Sequence, residues 1–172
     1  CEKKDFVFGF PIKENSKAYN ALAFVKNGEL QALSTKKNLG RFDKGFCSGN
    51  GFERVEYNQN SIAFGFLEDL EDFVKGSQKA DLVICSANIV FELNAQQEVI
   101  TRLQPIVRRL GCPLVVVNRC GAEGRFVFNG GSFVLQANGN LAEELPLFDA
   151  QTTIVETQKL KNLQKNPLSK PE

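Results

Sequence analysis

The chain has 172 residues, is 42% hydrophobic, and sets 21 Lys and Arg against 20 Asp and Glu for a formal net charge of +1. That is enough apolar length for one buried core, so a single domain is expected. A near-neutral balance with no Lys/Arg block and no RNP-like aromatic series argues against a nucleic-acid partner, and no apolar run approaches the roughly 18 residues of a membrane span.

Missing residue types narrow the chemistry further. There is no Met, no His and no Trp. Without Met the chain does not start at a translation start and is expected to be a fragment, a processed piece or an incompletely recorded chain. Without His it has no Ser–His or Cys–His dyad and lacks the commonest metal ligand, so any catalysis must use Lys and carboxylates, and no metal site is expected. Five cysteines (Cys1, Cys47, Cys85, Cys112, Cys120) are scattered with no C-x-x-C spacing. They read as reduced thiols, most of them small core residues, in a cytoplasmic protein. The opening Cys1-Glu2-Lys3-Lys4-Asp5 is not a signal peptide.

In chain order, Phe6 to Phe10 reads as a strand, and Ala21 to Val25 and Leu30 to Leu33 form two more around Asn27-Gly28, a two-residue hairpin signal. Residues 34 to 54 are polar and Gly-rich and are expected to be a long surface loop carrying Lys36, Lys37, Asp43 and Lys44. Ser61-Ile62-Ala63-Phe64-Gly65-Phe66 alternates in bulk and runs into Leu67-Glu68-Asp69-Leu70. This pattern reads as a buried strand that delivers its last residue to the start of a short helix through Leu70 and Phe73. Such a turn, with backbone N–H groups gathered at a helix start, is where a thiol would be activated and an oxyanion held.

Asp81 to Cys85 and Pro113 to Asn118 are continuous apolar runs of the kind buried on both faces. Between them, Val99, Ile100, Leu103, Ile106, Val107 and Leu110 share one helical stripe. Asn94 and Gln97 suggest a capping box, Pro105 a kink and Gly111 a stop. Arg125 to Phe128, Ser132 to Gln136 and Leu141 to Leu147 give a second meander with turns at Asn129-Gly130-Gly131 and Asn138-Gly139. Buried strands alternating with helices and framed by hairpins predict mixed sheets in an α/β layered domain over residues 1–155, with a polar linker or tail at 156–172.

Taken together, these segments resemble the carbon–nitrogen hydrolase (nitrilase) superfamily, and within it the glutaminase domains of glutamine-dependent NAD synthetases. Val7-Phe8-Gly9-Phe10-Pro11 resembles a strand ending in Gly-x-Pro, and Tyr19-Asn20-Ala21-Leu22-Ala23 a Tyr-Asn-Ala-Ala stretch. Thr35-Lys36-Lys37-Asn38-Leu39 is similar to the Arg-Lys-x-x-Leu signature, which falls on Lys36. Gly40-Arg41-Phe42-Asp43-Lys44 resembles Gly-x-Phe-Asp-Glu, with Lys44 at the glutamate. Leu67-Glu68-Asp69-Leu70 is similar to Cys-Glu-Asp-Leu with the cysteine gone. Val116-Val117-Asn118-Arg119-Cys120-Gly121 and Phe126-Val127-Phe128-Asn129-Gly130-Gly131-Ser132-Phe133 resemble V-N-x-V-G and V-F-D-G-G-S-F, the latter marking the NAD synthetase branch.

The resemblance implies a nitrilase-like αββα sandwich, mixed sheets flanked by helices, with the N-terminal part of the fold missing. It also implies a mechanism in which a glutamate base, a lysine and a cysteine cleave the side-chain amide of glutamine, and ammonia passes to a separate synthetase domain. ATP and deamido-NAD would bind that other domain, so no cofactor is expected in this chain. The implied partners are an NAD synthetase domain or subunit, further copies of the chain, and glutamine. By the same resemblance Lys36 is the catalytic lysine, Leu67 the nucleophile position, Lys44 the second glutamate position, and Glu68 and Ser86 border the substrate. The side chain at 67 and the ammonium of Lys36 are expected to meet in one hollow.

Three departures in one site (the base glutamate before Cys1, Lys44 and Leu67) point to a domain that does not hydrolyse amides. Two other readings stay open: an active amidase whose nucleophile has moved, with Cys47 and Cys85 as weak candidates, and a non-catalytic scaffold or sensor. From the residues alone, Lys36 reads as one of a solvated Lys-Lys pair and Glu68 and Asp69 as first-turn helix acids. Gly130-Gly131 reads as a turn requirement.

Overall fold

A computed structural model describes residues 4–77 and 79–161. Cys1 and most of the predicted tail, from residue 162 on, lie outside the described residues. The chain opens with an antiparallel sheet of β1 (Phe6–Glu14), β2 (Lys17–Lys26) and β3 (Glu29–Thr35), in that spatial order. Its two turns are built alike. Asn27 and Gly28 have φ of 54° and 85° between the paired Lys26 and Glu29, and Asn15 and Ser16 have φ of 47° and 66° between Glu14 and Lys17. Both central residues at positive φ define the turn whose twist matches the strands it joins.

A six-stranded mixed sheet follows, made of β4 (Glu53–Tyr57), β5 (Asn60–Phe66), β6 (Leu82–Ala87), β7 (Leu114–Asn118), β10 (Phe133–Leu135) and β11 (Leu141–Glu144). Its spatial order is β11-β10-β7-β6-β5-β4, with β5, β6 and β7 parallel and the edges antiparallel. The parallel centre needs crossovers. The first is a 3-10 turn (Leu67–Asp69) leading into α1 (Leu70–Lys75), and the second contains α2 (Ala95–Leu110). A small hairpin of β8 (Cys120–Glu123) and β9 (Phe126–Asn129) stands apart from both sheets.

Two apolar clusters order the layers. Leu22 and Phe24 of β2 meet Phe64 and Phe66 of β5, which packs the three-stranded sheet on one face of the six-stranded sheet. On the other face Ala63, Val83, Cys85, Leu114 and Val116 meet Leu70 and Phe73 of α1 and Ile100, Leu103 and Val107 of α2. The described residues therefore form sheet, sheet and helices, three layers of the four that the sequence implied. No described helix is long and apolar enough to cross a membrane.

Several local expectations change. The polar stretch is shorter than predicted, because residues 53–57 form β4, which pairs with β5 around the positive-φ pair Asn58 and Gln59. Asn94 does not cap α2 with its side chain; it adopts the left-handed conformation (φ 65°), and the side chain makes no cap hydrogen bond. Gly111 does end α2 (φ 70°), donating its N–H to the Val107 carbonyl. Pro105 sits on the exposed side of α2. Thr157–Lys161, at the start of the expected tail, forms a short helix, α3, that buries Leu160.

Candidate functional site

The site forms where β5 ends. Phe66 closes the strand in the extended conformation and the chain then turns through Leu67, Glu68 and Asp69 into α1. Strand alternation sends Phe64 and Phe66 toward the three-stranded sheet, while Leu67 packs against the helix-side core. Register places Phe66 beside Ser86 of β6 and Ser86 beside Val117 of β7. Ser86 is half-buried at the end of its strand.

From the other sheet, β3 delivers Lys36 to this turn. Its backbone N–H is held by the Asn20 carbonyl at 2.8 Å, so the residue begins the loop in a fixed position. The side chain is 4% exposed. Its ammonium donates to Glu68 Oε1 at 2.7 Å, pairs with Asp43 Oδ2 at 2.9 Å, and lies 5.7 Å from the centre of the Phe66 ring. Lys36 is thus an ion-paired, buried lysine rather than a member of a solvated pair. Lys37, its neighbour, is exposed and pairs with Asp72.

Asp43 is the member of this cluster that the sequence reading passed over. It is 5% exposed and accepts from the Gly40 N–H at 2.8 Å and the Asn20 amide at 3.4 Å as well as from Lys36. Lys44, the residue matched to a family glutamate, is exposed and stays outside the cluster. The carboxylate from this loop that pairs with the lysine is Asp43, one position earlier. Its signal was present in the sequence as the Asp of Gly40-Arg41-Phe42-Asp43, in the loop that returns toward Lys36.

The electrostatics follow from burial and pairing. Burial alone would lower Lys36, but the hydrogen bonds and charges of Glu68 and Asp43 outweigh it and hold the ammonium above its ordinary range. Burial would likewise raise Asp43. The Gly40 N–H, Lys36 and Asn20 overcome this and hold the carboxyl below its ordinary range. Both groups are consequently charged across the neutral region. The ammonium meets carboxylates on two sides, so its charge is already balanced within the protein.

Asp69, which read as a dipole-stabilised helix acid, has a different task. It is 1% exposed, and its two oxygens accept the backbone N–H groups of Lys37 at 2.9 Å and Asn38 at 2.6 Å. The side chain of Asp69 thereby clamps the loop after Lys36 onto the turn after Leu67. Glu68, expected to border the substrate, accepts a hydrogen bond from Lys36, with its side chain 41% exposed.

Leu67 stands at the turn that Lys36 reaches, between Glu68, which the Lys36 ammonium bonds, and Phe66, whose ring centre lies 5.7 Å from that ammonium. A leucine has no lone pair to attack an amide carbon. Among the thiols, Cys85 is fully buried on β6, and burial, reinforced by the charges of Glu68 and Asp69, pushes it well above the ordinary cysteine value. A thiol kept protonated is a poor nucleophile. Cys47 is half-buried in the polar loop, with its backbone N–H bonded to Ala18.

Beyond the turn, a buried amide network fixes the ends of the neighbouring strands. Asn118 donates to the Gly130 carbonyl at 2.7 Å and to Asn129 Oδ1 at 3.2 Å, and its own Oδ1 accepts the Ile89 N–H at 2.9 Å. Asn129 in turn donates to Gln96 of α2, which donates to the Gly131 carbonyl. This network accounts for the Asn118 and Gly130-Gly131 motifs as fasteners of the strand ends.

No protein-family model matches the chain. In sequence it is 26% identical to the glutamine-dependent NAD(+) synthetase of Acinetobacter baylyi, in an alignment covering 86% of this chain and 29% of that protein. In structure it matches the glutamine-dependent NAD+ synthetase of Acinetobacter baumannii with a TM-score of 0.78 and 24% identity, covering 86% of this chain and 30% of that one. It also matches an amidase of the nitrilase superfamily from Nesterenkonia with a TM-score of 0.73 and 23% identity, covering 83% of this chain and 57% of the amidase. The chain thus spans under a third of the synthetases it resembles. Its sequence relatives are glutamine-dependent NAD synthetases, and its fold is that of the carbon–nitrogen hydrolase superfamily.

Proposed function

We propose that this chain, with that fold and those relatives, is a glutaminase-type domain of an NAD synthetase that no longer hydrolyses glutamine. In the working arrangement a thiolate would attack the glutamine side-chain amide, and a lysine ammonium with a backbone N–H would steady the oxyanion. The lysine has a counterpart in Lys36, but the attacking atom has none, since Leu67 occupies its position. The observation that carries the reading is a retained, buried lysine bonded to Glu68, with a leucine at the preceding position of the same turn. Losing a nucleophile that acts together with its base typically costs many orders of magnitude in rate.

The remaining role is structural: the domain packs against a synthetase domain or subunit and against copies of itself, in a cytoplasmic assembly. Deamido-NAD and ATP belong to the synthetase part. A nucleophile relocated to Cys85 is disfavoured by the full burial of that thiol and the raised pKa that burial causes. A sensor that still admits glutamine is the second reading, favoured by the retention of Lys36, and calorimetric titration with glutamine separates it from a pure scaffold.

The test is glutamate release from glutamine by the purified chain. The expected result is a rate equal to that of buffer, unchanged in Lys36→Ala. Turnover that Lys36→Ala abolishes would show that the site still works and would overturn the proposal.

A further inference from the structure

One cavity lies beyond the lysine cluster and has a chemistry of its own. It is a cleft of about 540 Å³ lined by Phe42, Asn88, Arg119, Glu123, Arg125, Phe126 and Phe128. This is within the range of about 300–1,000 Å³ that holds small-molecule ligands. Asn88 follows β6 and Arg119 follows β7, so the cleft opens at the C-terminal ends of parallel strands, where open α/β sheets bind ligands.

Its walls are aromatic and cationic together. Phe42 stands edge-on to Phe126, with ring centres 4.8 Å apart, and lies 6.0 Å from Phe128. Three guanidinium groups lie against these rings. Arg119 is 4.2 Å from the centre of Phe128, Arg41 is 4.9 Å from Phe42 and 5.2 Å from Phe126, and Arg125 is 5.3 Å from Phe126. Of these, Arg119 and Arg125 line the cleft and Arg41 flanks it, and the one lining carboxylate, Glu123, pairs with Arg119 at 2.7 Å. Among the described residues neither Arg41 nor Arg125 has a carboxylate partner in an ion pair.

We propose that this cleft binds a small anionic ligand carrying a planar aromatic ring, of the mononucleotide class. Guanidinium forks match phosphate oxygens in pairs, and guanidinium planes and phenyl faces both accept a stacked base. A neutral apolar ligand would leave Arg125 uncompensated, and a plain anion would make no use of the phenylalanine wall. The ligand is a free small molecule rather than a nucleic acid, because a chain whose net charge is +1 offers little general attraction for a polyanionic backbone. The proposal goes beyond the glutaminase reading and does not involve Leu67, so glutamine hydrolysis by the chain would leave it standing.

The test is isothermal titration of the full chain with AMP, adenosine and ribose 5-phosphate. The expected result is saturable 1:1 binding of AMP, with adenosine and ribose 5-phosphate each at least about tenfold weaker, because each lacks one half of the recognised chemistry. Arg125→Gln, a change at an exposed position, and Phe126→Ala should each weaken AMP by about tenfold with an unchanged circular dichroism spectrum. Absence of AMP binding to the intact chain would overturn the proposal. So would equal binding of AMP and ribose 5-phosphate, AMP binding indifferent to Arg125→Gln, or a single-stranded RNA oligomer binding more tightly than AMP.

Discussion

Lys36 and Asp43 illustrate how a buried charge is kept in a protein interior. Each side chain is 4% exposed, so each depends on the other and on Glu68 for compensation. Removing one partner strands the other charge, which typically costs about 3–5 kcal/mol. Lys36→Ala should therefore lower the urea midpoint sharply, and Lys36→Ala/Asp43→Ala should recover part of the loss, because the second change removes the stranded carboxylate. The pH dependence follows from the directions of the two shifts. Asp43 titrates below its ordinary 3.8 in the folded chain, so its contribution is present above about pH 4 and is lost as pH falls through the folded value. Lys36 titrates above its ordinary 10.5, so its contribution is present below about pH 10 and is lost as pH rises through the folded value. Asp43→Asn should flatten the acid limb of a stability-against-pH profile, and an unchanged limb would show that other carboxylates control it.

At the scale of elements, two glycines report how closely the pieces meet. A Cβ on Gly65 of β5 would lie 2.6 Å from the Phe52 ring, which stacks on Phe73 of α1 at 4.7 Å. Gly131 has φ of 60°, and a Cβ there would meet Gln96, whose amide belongs to the network that fastens α2 to the strand ends. Gly131→Ala combines a disfavoured backbone with a displaced hydrogen-bonding side chain. It should destabilise by about 2–3 kcal/mol in equilibrium unfolding, whereas Asn94→Gly, which only relieves a positive φ, should cost nothing or stabilise slightly. The element pattern of the middle of the chain was open to the sequence because β5, α1, β6, α2 and β7 each bury a continuous face or stripe. Hairpin β4–β5 and strand β8 were not, since Glu53-Arg54-Val55-Glu56-Tyr57 and Cys120-Gly121-Ala122-Glu123 carry too little apolar content to stand out. The left-handed Asn94 escaped for another reason: Asn favours both a side-chain cap and positive φ, and only the incoming chain direction selects between them.

For the whole molecule, the exposed side of the three-stranded sheet is unusually aromatic. Phe6 and Phe8 are 49% and 42% exposed; Phe8 stacks on Phe10 with ring centres 5.0 Å apart, and Phe6 lies tilted against Phe8 at 5.5 Å. These rings alternate with Val7, which faces the inner sheet–sheet cluster, so one strand presents apolar residues to both sides. A dye that fluoresces on apolar surfaces should bind the folded chain, and Phe6→Ser/Phe8→Ser should reduce that signal by more than half without changing the unfolding midpoint greatly. Retention of the full signal would place the dye elsewhere, for example in the aromatic cleft.

What the amino-acid order settled by itself was the class of the fold and the identity of the turn after β5, because periodic burial and the motif spacing are local properties of the chain. Lys36 and Leu67 were also named from it, since each stands inside a short motif. Contact between residues 36, 43 and 68, the role of Asp69 as a clamp on Lys37 and Asn38, and the meeting of Phe42 with Arg119, Phe126 and Phe128 were decided only in three dimensions. Each of these joins segments of the chain far apart in sequence. Which carboxylate neutralises a lysine, and which rings an arginine covers, depends on how two sheets and their loops pack; a motif such as Gly40-Arg41-Phe42-Asp43 offers the candidate, and the packing makes the choice.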